Sequence, residues 1–228
     1  IDDYDGEVRY ADEHVGKLLA TLDSLGLRDN TLVVIFSDHG EGLGQHNYMP
    51  HGAQVYEEQL RVPLLLRGPG FPAGRTVDAL VQLMDVAPTI LRLLGVPIPK
   101  QFRGRDLFAV EHGQQRTFVA ARRTFYESGS TISLVSGQLA IHGDRYCIRE
   151  GPLKLLHGPP GEPDELYDLS ADPAELKNLA PQEAADVQRL SALLEAQVKE
   201  WKKDALQPRK ETMDRRTREM LRSLGYLR

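Results

Sequence analysis

At 228 residues the chain is long enough for one large α/β domain or two unequal ones with a substantial core. Its 41% hydrophobic and 27% charged residues are those of a globular protein, and no apolar run approaches the roughly 18 residues of a membrane span. A net charge of −5 argues against a dedicated nucleic-acid binder, and a single cysteine, Cys147, excludes an intrachain disulfide framework.

Taken in order, the first element is a helix from Tyr4 to about Leu25. Val8, Ala11, Val15, Leu18, Leu19, Leu22 and Leu25 form its apolar stripe, and Gly26 stops it. Thr31 to Phe36 is a continuous β-branched and aromatic run, which predicts a strand buried on both faces, as in a parallel sheet. A polar, Gly-rich loop from Gly40 to Gly52 leads to a short helix near Val55 to Leu60. Val62 to Leu66 is a second strand, with Pro63 near its start or on an edge. After the turn-rich stretch Arg67 to Gly74, Ala79 to Leu83 reads as a strand. Val86 to Leu94 reads as a helix capped by Asp85 and ended by Gly95 and Pro97. This alternation is the α/β pattern.

Near residue 110 the character changes. Short strand candidates follow at Thr117 to Phe125, Thr131 to Ser136, Gln138 to His142, Tyr146 to Arg149, Leu153 to Leu156 and Glu165 to Leu169, spaced as in an antiparallel meander. A helix from Pro181 to about Lys203 and a shorter one from Glu211 to Leu224 close the chain. The expected organisation is an α/β portion over 1–112, an antiparallel-sheet subdomain with a packed helix over 113–205, and a basic helical tail over 206–228. From Lys199 onward ten Lys or Arg face five Asp or Glu, a charge bias that reads as a helix face resting on an acidic body.

The chemistry gathers after the first strand. Ligands in open α/β sheets sit outside the carboxyl ends of strands, and Ser37-Asp38-His39-Gly40 stands there. Asp38 and His39 are both good metal-ligand types, and Gly40 frees the backbone to turn. Glu41, His46 and His51 follow within the loop, so a cation, an oxyanion or a proton can be handled there. For His46 the plainer expectation is a solvated loop histidine, and for Glu57 and Glu58 a solvated helix face. Cys147, in a short alternating strand, reads as a packing residue rather than a nucleophile.

With these residues in view, the chain resembles the sulfatase family of the alkaline phosphatase superfamily. Ser37 to Glu41, Gly44-x-His46, His51-Gly52, Tyr56 to Glu58, Leu60 to Leu64 and Arg67 to Gly70 are similar to the C-terminal portion of its catalytic domain. Asp85 to Thr89, Leu94 to Val96 and Arg103 to Leu107 continue the resemblance. Glu165 to Leu169, Asp172-Pro173, Asn178-Leu179 and Leu221 to Leu227 resemble its C-terminal subdomain.

The resemblance implies part of an alkaline phosphatase-like mixed sheet flanked by helices, followed by a small antiparallel sheet with a packed helix. It implies Asp38 and His39 as metal ligands and His51 as the catalytic residue contacting the sulfate or its leaving oxygen, at a position that is lysine in many relatives. The implied cofactor is a divalent metal, calcium first, with manganese or zinc suited by the imidazole at 39. The implied substrate is a small sulfate ester or a sulfated carbohydrate. Phosphonate or phosphate ester hydrolysis is the nearest alternative chemistry, and a non-catalytic module binding metal or sulfated glycan is the alternative of another class.

One departure matters. The family's nucleophile lies in a Cys/Ser-x-Pro-x-Arg motif, and this sequence contains none. The expectation is therefore that the 228 residues alone are inactive and act with a missing N-terminal half of the domain. The first residue is Ile1 rather than Met, so a targeting segment would lie upstream; periplasmic or secreted placement stays open.

Overall fold

The computed structural model of the chain describes residues 2–49, 51, 54–69, 71, 73–109, 117–122, 145–158, 161–203 and 214–223. Residues up to Leu194 form one compact unit and Glu195–Arg228 a second. No described helix is long and apolar enough to cross a membrane.

Helix α1 (Asp2–Ser24) carries Asp2, Asp3 and Asp5 in its first turn, where negative charge suits the helix dipole. It ends at Gly26, with Leu27 N–H donating to Leu22 O at 2.9 Å. None of its residues is fully buried: Val15, Leu19 and Leu22 of the predicted stripe are half-buried, while Val8, Leu18 and Leu25 are exposed.

Strand β1 (Val33–Phe36) pairs antiparallel with β2 (Leu64–Arg67), Val33 opposite Arg67 and Phe36 opposite Leu64. This corrects the expectation of a parallel strand buried on both faces: β1 is half-buried and Phe36 is exposed. A ribbon partner satisfies one edge of a strand but covers neither face, so the apolar run alone did not determine its burial. Helix α2 (Glu57–Leu60) lies between the two strands in sequence.

The strand expected over Ala79 to Leu83 is absent; Leu83–Asp85 form a 3-10 turn instead. Gln82 and Asp85 cap this turn reciprocally, with Gln82 N–H donating to the Asp85 carboxylate at 2.8 Å. Asp85 does not cap helix α3 (Val86–Leu93) with its side chain as expected. It is fully buried, and its other oxygen accepts from Arg105 N–H at 2.8 Å. The end of α3 follows the expectation. Gly95 takes a left-handed φ of 68°, which a side chain would oppose, and Val96 N–H bonds back to Leu91 O.

The second sheet is an antiparallel meander, β3 (Thr117–Arg122), β4 (Arg145–Glu150), β5 (Leu153–His157) and β6 (Glu165–Asp168), in that spatial order. The strand candidates at 131–136 and 138–142 lie outside the described residues. Ile148, Leu155 and Leu166 stand opposite one another across the strands and are fully buried. Burial of such a side chain contributes about 1.5–3 kcal/mol. Helix α4 (Ala184–Lys203) buries Leu190 and Leu194 and is tied to β4 by an ion pair between Arg189 and Glu150. The opposite face of the sheet carries Cys147, Leu156 and Tyr167, which pack with Val55 and Tyr56 just before α2. That contact brings the sheet to the loop after β1. In the second unit, α5 (Arg215–Ser223) begins at Asp214, whose carboxylate accepts from Thr217 N–H at 2.8 Å.

Candidate active site

The turn after β1 is held by its own short-range bonds. Ser37 Oγ donates to His39 O at 2.6 Å, and His39 N–H donates to Asp38 Oδ1 at 3.1 Å. Gly40 N–H donates to Gln59 O of α2 at 2.8 Å. A Cβ at position 40 would sit 2.0 Å from Glu58 O, so only glycine lets the turn approach α2 this closely.

His39 Nδ1 lies 2.8 Å from Gly40 O. A carbonyl can only accept, so Nδ1 carries the hydrogen and the Nε2 lone pair is left for another partner. Nε2 is 3.8 Å from Asp38 Oδ1, and the Asp38 side chain is 69% exposed. The arrangement leaves Nε2 open beside an accessible carboxylate, with the other ring nitrogen fixed by a backbone carbonyl.

The loop returns His51 to this pair. Its ring stacks on His39 with centroids 4.3 Å apart and planes inclined by 24°. His51 Nδ1 faces Glu41 Oε2 at 2.9 Å, and the buried Tyr48 donates its hydroxyl to His51 O at 3.1 Å. Glu41 therefore fixes the His51 ring through Nδ1. Glu41 Oε1 is buried with no hydrogen-bond partner among the described residues. Asp38, His39 and His51, the three site residues expected from sequence, thus lie in one cluster with Glu41.

His46 is not a solvated loop histidine. Its side chain is 12% exposed, stacked flat on Tyr56 with centroids 3.7 Å apart, and its backbone is left-handed at φ 52°. Nδ1 faces Glu58 Oε1 at 2.8 Å and Nε2 donates to Glu175 O at 3.1 Å. Burial alone would lower its pKa, but Glu58 and the Glu175 carbonyl outweigh that and hold it above the ordinary value.

Glu57 and Glu58 do not form a solvated face either. Glu57 Oε1 pairs with Lys154 Nζ at 2.9 Å, and Lys154 also meets Glu175 Oε1 at 2.8 Å. Glu175 Oε2 accepts from Glu57 N–H at 2.6 Å. Lys154 and Glu175 are fully buried. Burial would discharge Lys154, yet the carboxylates of Glu175 and Glu57 outweigh that and raise its pKa, so it stays an ammonium. The sequence did carry one sign of this: a lysine between Leu153 and Leu155 in an apolar strand needs a buried partner.

Among the described residues no three His, Cys, Asp or Glu side chains converge as a complete metal site requires. Asp38 and His39 supply two donors of fitting chemistry, whereas calcium requires about six to eight oxygens. The residues fit part of a cation site.

The Sulfatase family model matches residues 1–96. An N-acetylglucosamine-6-O-sulfatase of Bacteroides thetaiotaomicron is 34% identical over 208 residues, 88% of this chain and 36% of that protein. A solved structure in complex with its substrate D-glucosamine-2-N,6-O-disulfate is 30% identical with a TM-score of 0.71, covering 86% of this chain and 40% of that one. The phosphonate monoester hydrolase of Silicibacter pomeroyi is 26% identical with a TM-score of 0.66, covering 85% and 39%. The chain thus spans little more than a third of the curated relative's length, in a portion that holds the Asp38–His39 turn and the four-stranded meander. Residues 1–96 thus match the Sulfatase family model, and most of the chain is similar to sulfatases and to a phosphonate monoester hydrolase.

Proposed function

We propose that this chain forms part of a sulfate-ester hydrolase acting on a sulfated sugar, with Asp38 and His39 as two ligands of a divalent cation and His51 as the group that meets the sulfate. The stack of His39 on His51 carries this reading, because it sets a cation donor pair and a hydrogen-bonding imidazole within one van der Waals contact. Calcium is the first choice of ion, and manganese or zinc also suit the imidazole. When bound, the cation would polarise the ester oxygens and offset the charge that develops on them. Carrying hydrogens on both ring nitrogens, with Nδ1–H held by Glu41, His51 would use Nε2–H to donate to a sulfate oxygen or to pass a proton to the leaving oxygen. The sugar class is supported by the glucosamine sulfates named for two of the relatives.

The sequence contains no Cys/Ser-x-Pro-x-Arg nucleophile motif, so the 228 residues alone are expected to release no sulfate. The whole gene product, assayed with D-glucosamine 6-sulfate and with a phosphonate monoester, tests the reading. Sulfate release that Asp38→Ala abolishes supports it. Turnover of the phosphonate alone would favour the second reading, which the Silicibacter pomeroyi neighbour supports.

A further inference from the structure

We propose that Lys154, Glu175 and His46 are positioning residues that lock α2 against Gly40 and so set the Asp38–His39 pair and the His51 stacked on it. The connection is continuous. Lys154, in the central strand β5, pairs with Glu57 and Glu175. Glu175 holds the first turn of α2 through Glu57 N–H and accepts from His46 through its carbonyl. His46 in turn grips Glu58. Glu58 and Gln59 then meet Gly40 by backbone, the first in contact and the second through a hydrogen bond.

The cost of this network indicates its use. Three described non-glycine residues have left-handed backbones, and two of them, His46 and Glu175, are bonded to each other. Such conformations cost on the order of 1–3 kcal/mol each and persist where the surroundings over-determine them. Buried charges are likewise poor sources of stability compared with apolar packing, but they fix one geometry when each is satisfied. All three residues lie outside the turn they hold. Two of them sit in or beside the four-stranded sheet, so the meander acts as a template for the turn after β1.

The inference rests on Asp38, His39 and His51 being the chemical end of the molecule, although the geometry it concerns can be read without any reaction. The experiment compares the full chain with Lys154→Met, Glu175→Gln and His46→Gln by hydrogen exchange and by Mn2+ titration. In a folded variant the segment His39 to Leu43 is expected to exchange about tenfold faster or more, while α3 exchanges as in the parent. Mn2+ affinity is expected to fall about 10–100-fold, as for other residues that orient ligands. Unchanged exchange at His39 to Leu43 in a folded variant overturns the proposal. Equal loss of protection at α3 in all three variants also overturns it, because the network would then be a general prop. If the parent binds no Mn2+, the cation reading falls and the exchange result alone decides the positioning role.

Discussion

His46 and Glu175 lie 129 residues apart in sequence, and the imidazole of one donates to the backbone carbonyl of the other at 3.1 Å. With Glu58 on the second ring nitrogen, both nitrogens face acceptors, which favours the imidazolium. A pH dependence follows. The folded pKa lies above the ordinary 6.5, so the charged ring contributes stability that is fully present below about pH 6.5. That stability is lost as pH rises through the raised value. Urea unfolding of the full chain at pH 6, 7 and 8 is expected to show a declining midpoint that is flatter in His46→Gln. Equal slopes in the two proteins would show that the His46 pair is uncharged when folded.

Gly40 gives a steric prediction. Its missing Cβ would fall 2.0 Å from Glu58 O and 2.9 Å from Glu58 C, both backbone atoms that cannot swing aside. Gly40→Ala is expected to cost about 1–3 kcal/mol by forcing the turn off α2, and to weaken Mn2+ binding with it. Gly16, inside α1, has nothing within 4 Å of its virtual Cβ. Gly16→Ala is therefore expected to stabilise the chain by up to about 1 kcal/mol through helix propensity. Thermal melts of the two variants should move in opposite directions.

Much of the fold was legible because local signals and tertiary packing agreed. Gly26 and Gly95 end helices where the sequence places them, and the strands from Arg145 to Asp168 form the expected meander, though both of its faces are covered. The run from Val33 to Phe36 misled, because apolar residues record what a strand can cover, not which strands lie beside it. Ala79 to Leu83 misled for another reason: the reciprocal capping of Gln82 and Asp85 supplied backbone partners locally and removed the need for a ladder. Asp38 and His39 were singled out from residue type and their place after a strand, His51 from the family resemblance, and the structure brings the three side chains together. The burial of His46 and Glu57 was not legible, since their partners Glu175 and Lys154 lie about a hundred residues or more further on and no local pattern joins them; Glu58 is drawn in through His46.

Thr89 offers a test of the α3 end of the molecule. Its buried hydroxyl donates to Asp85 O at 2.6 Å and accepts from Leu107 N–H at 2.9 Å. Thr89→Val keeps the shape but orphans the Leu107 N–H, and an unsatisfied buried donor costs about 1–3 kcal/mol. Thr89→Ser keeps both bonds and loses one methyl, so it should cost about 1 kcal/mol. The two denaturation midpoints should rank in that order; a Val variant as stable as the parent would mean that water reaches Leu107 N–H.

His51 and Asp38 separate proton handling from cation binding. The His51 ring touches His39 by its face, and its Nδ1 bonds to Glu41. Removing it takes nothing from the donor atoms of Asp38 or from His39 Nε2. His51→Ala in the whole gene product is therefore expected to lower kcat about 10²–10⁴-fold, the usual worth of a positioned proton donor, with Mn2+ affinity held within about a factor of two. Asp38→Ala should do the reverse first, abolishing cation binding and activity together. Glu41→Gln keeps an acceptor near Nδ1 and is expected to give a smaller loss of kcat than His51→Ala. Loss of cation binding on His51→Ala with kcat preserved would move His51 from the substrate side of the site to the metal side.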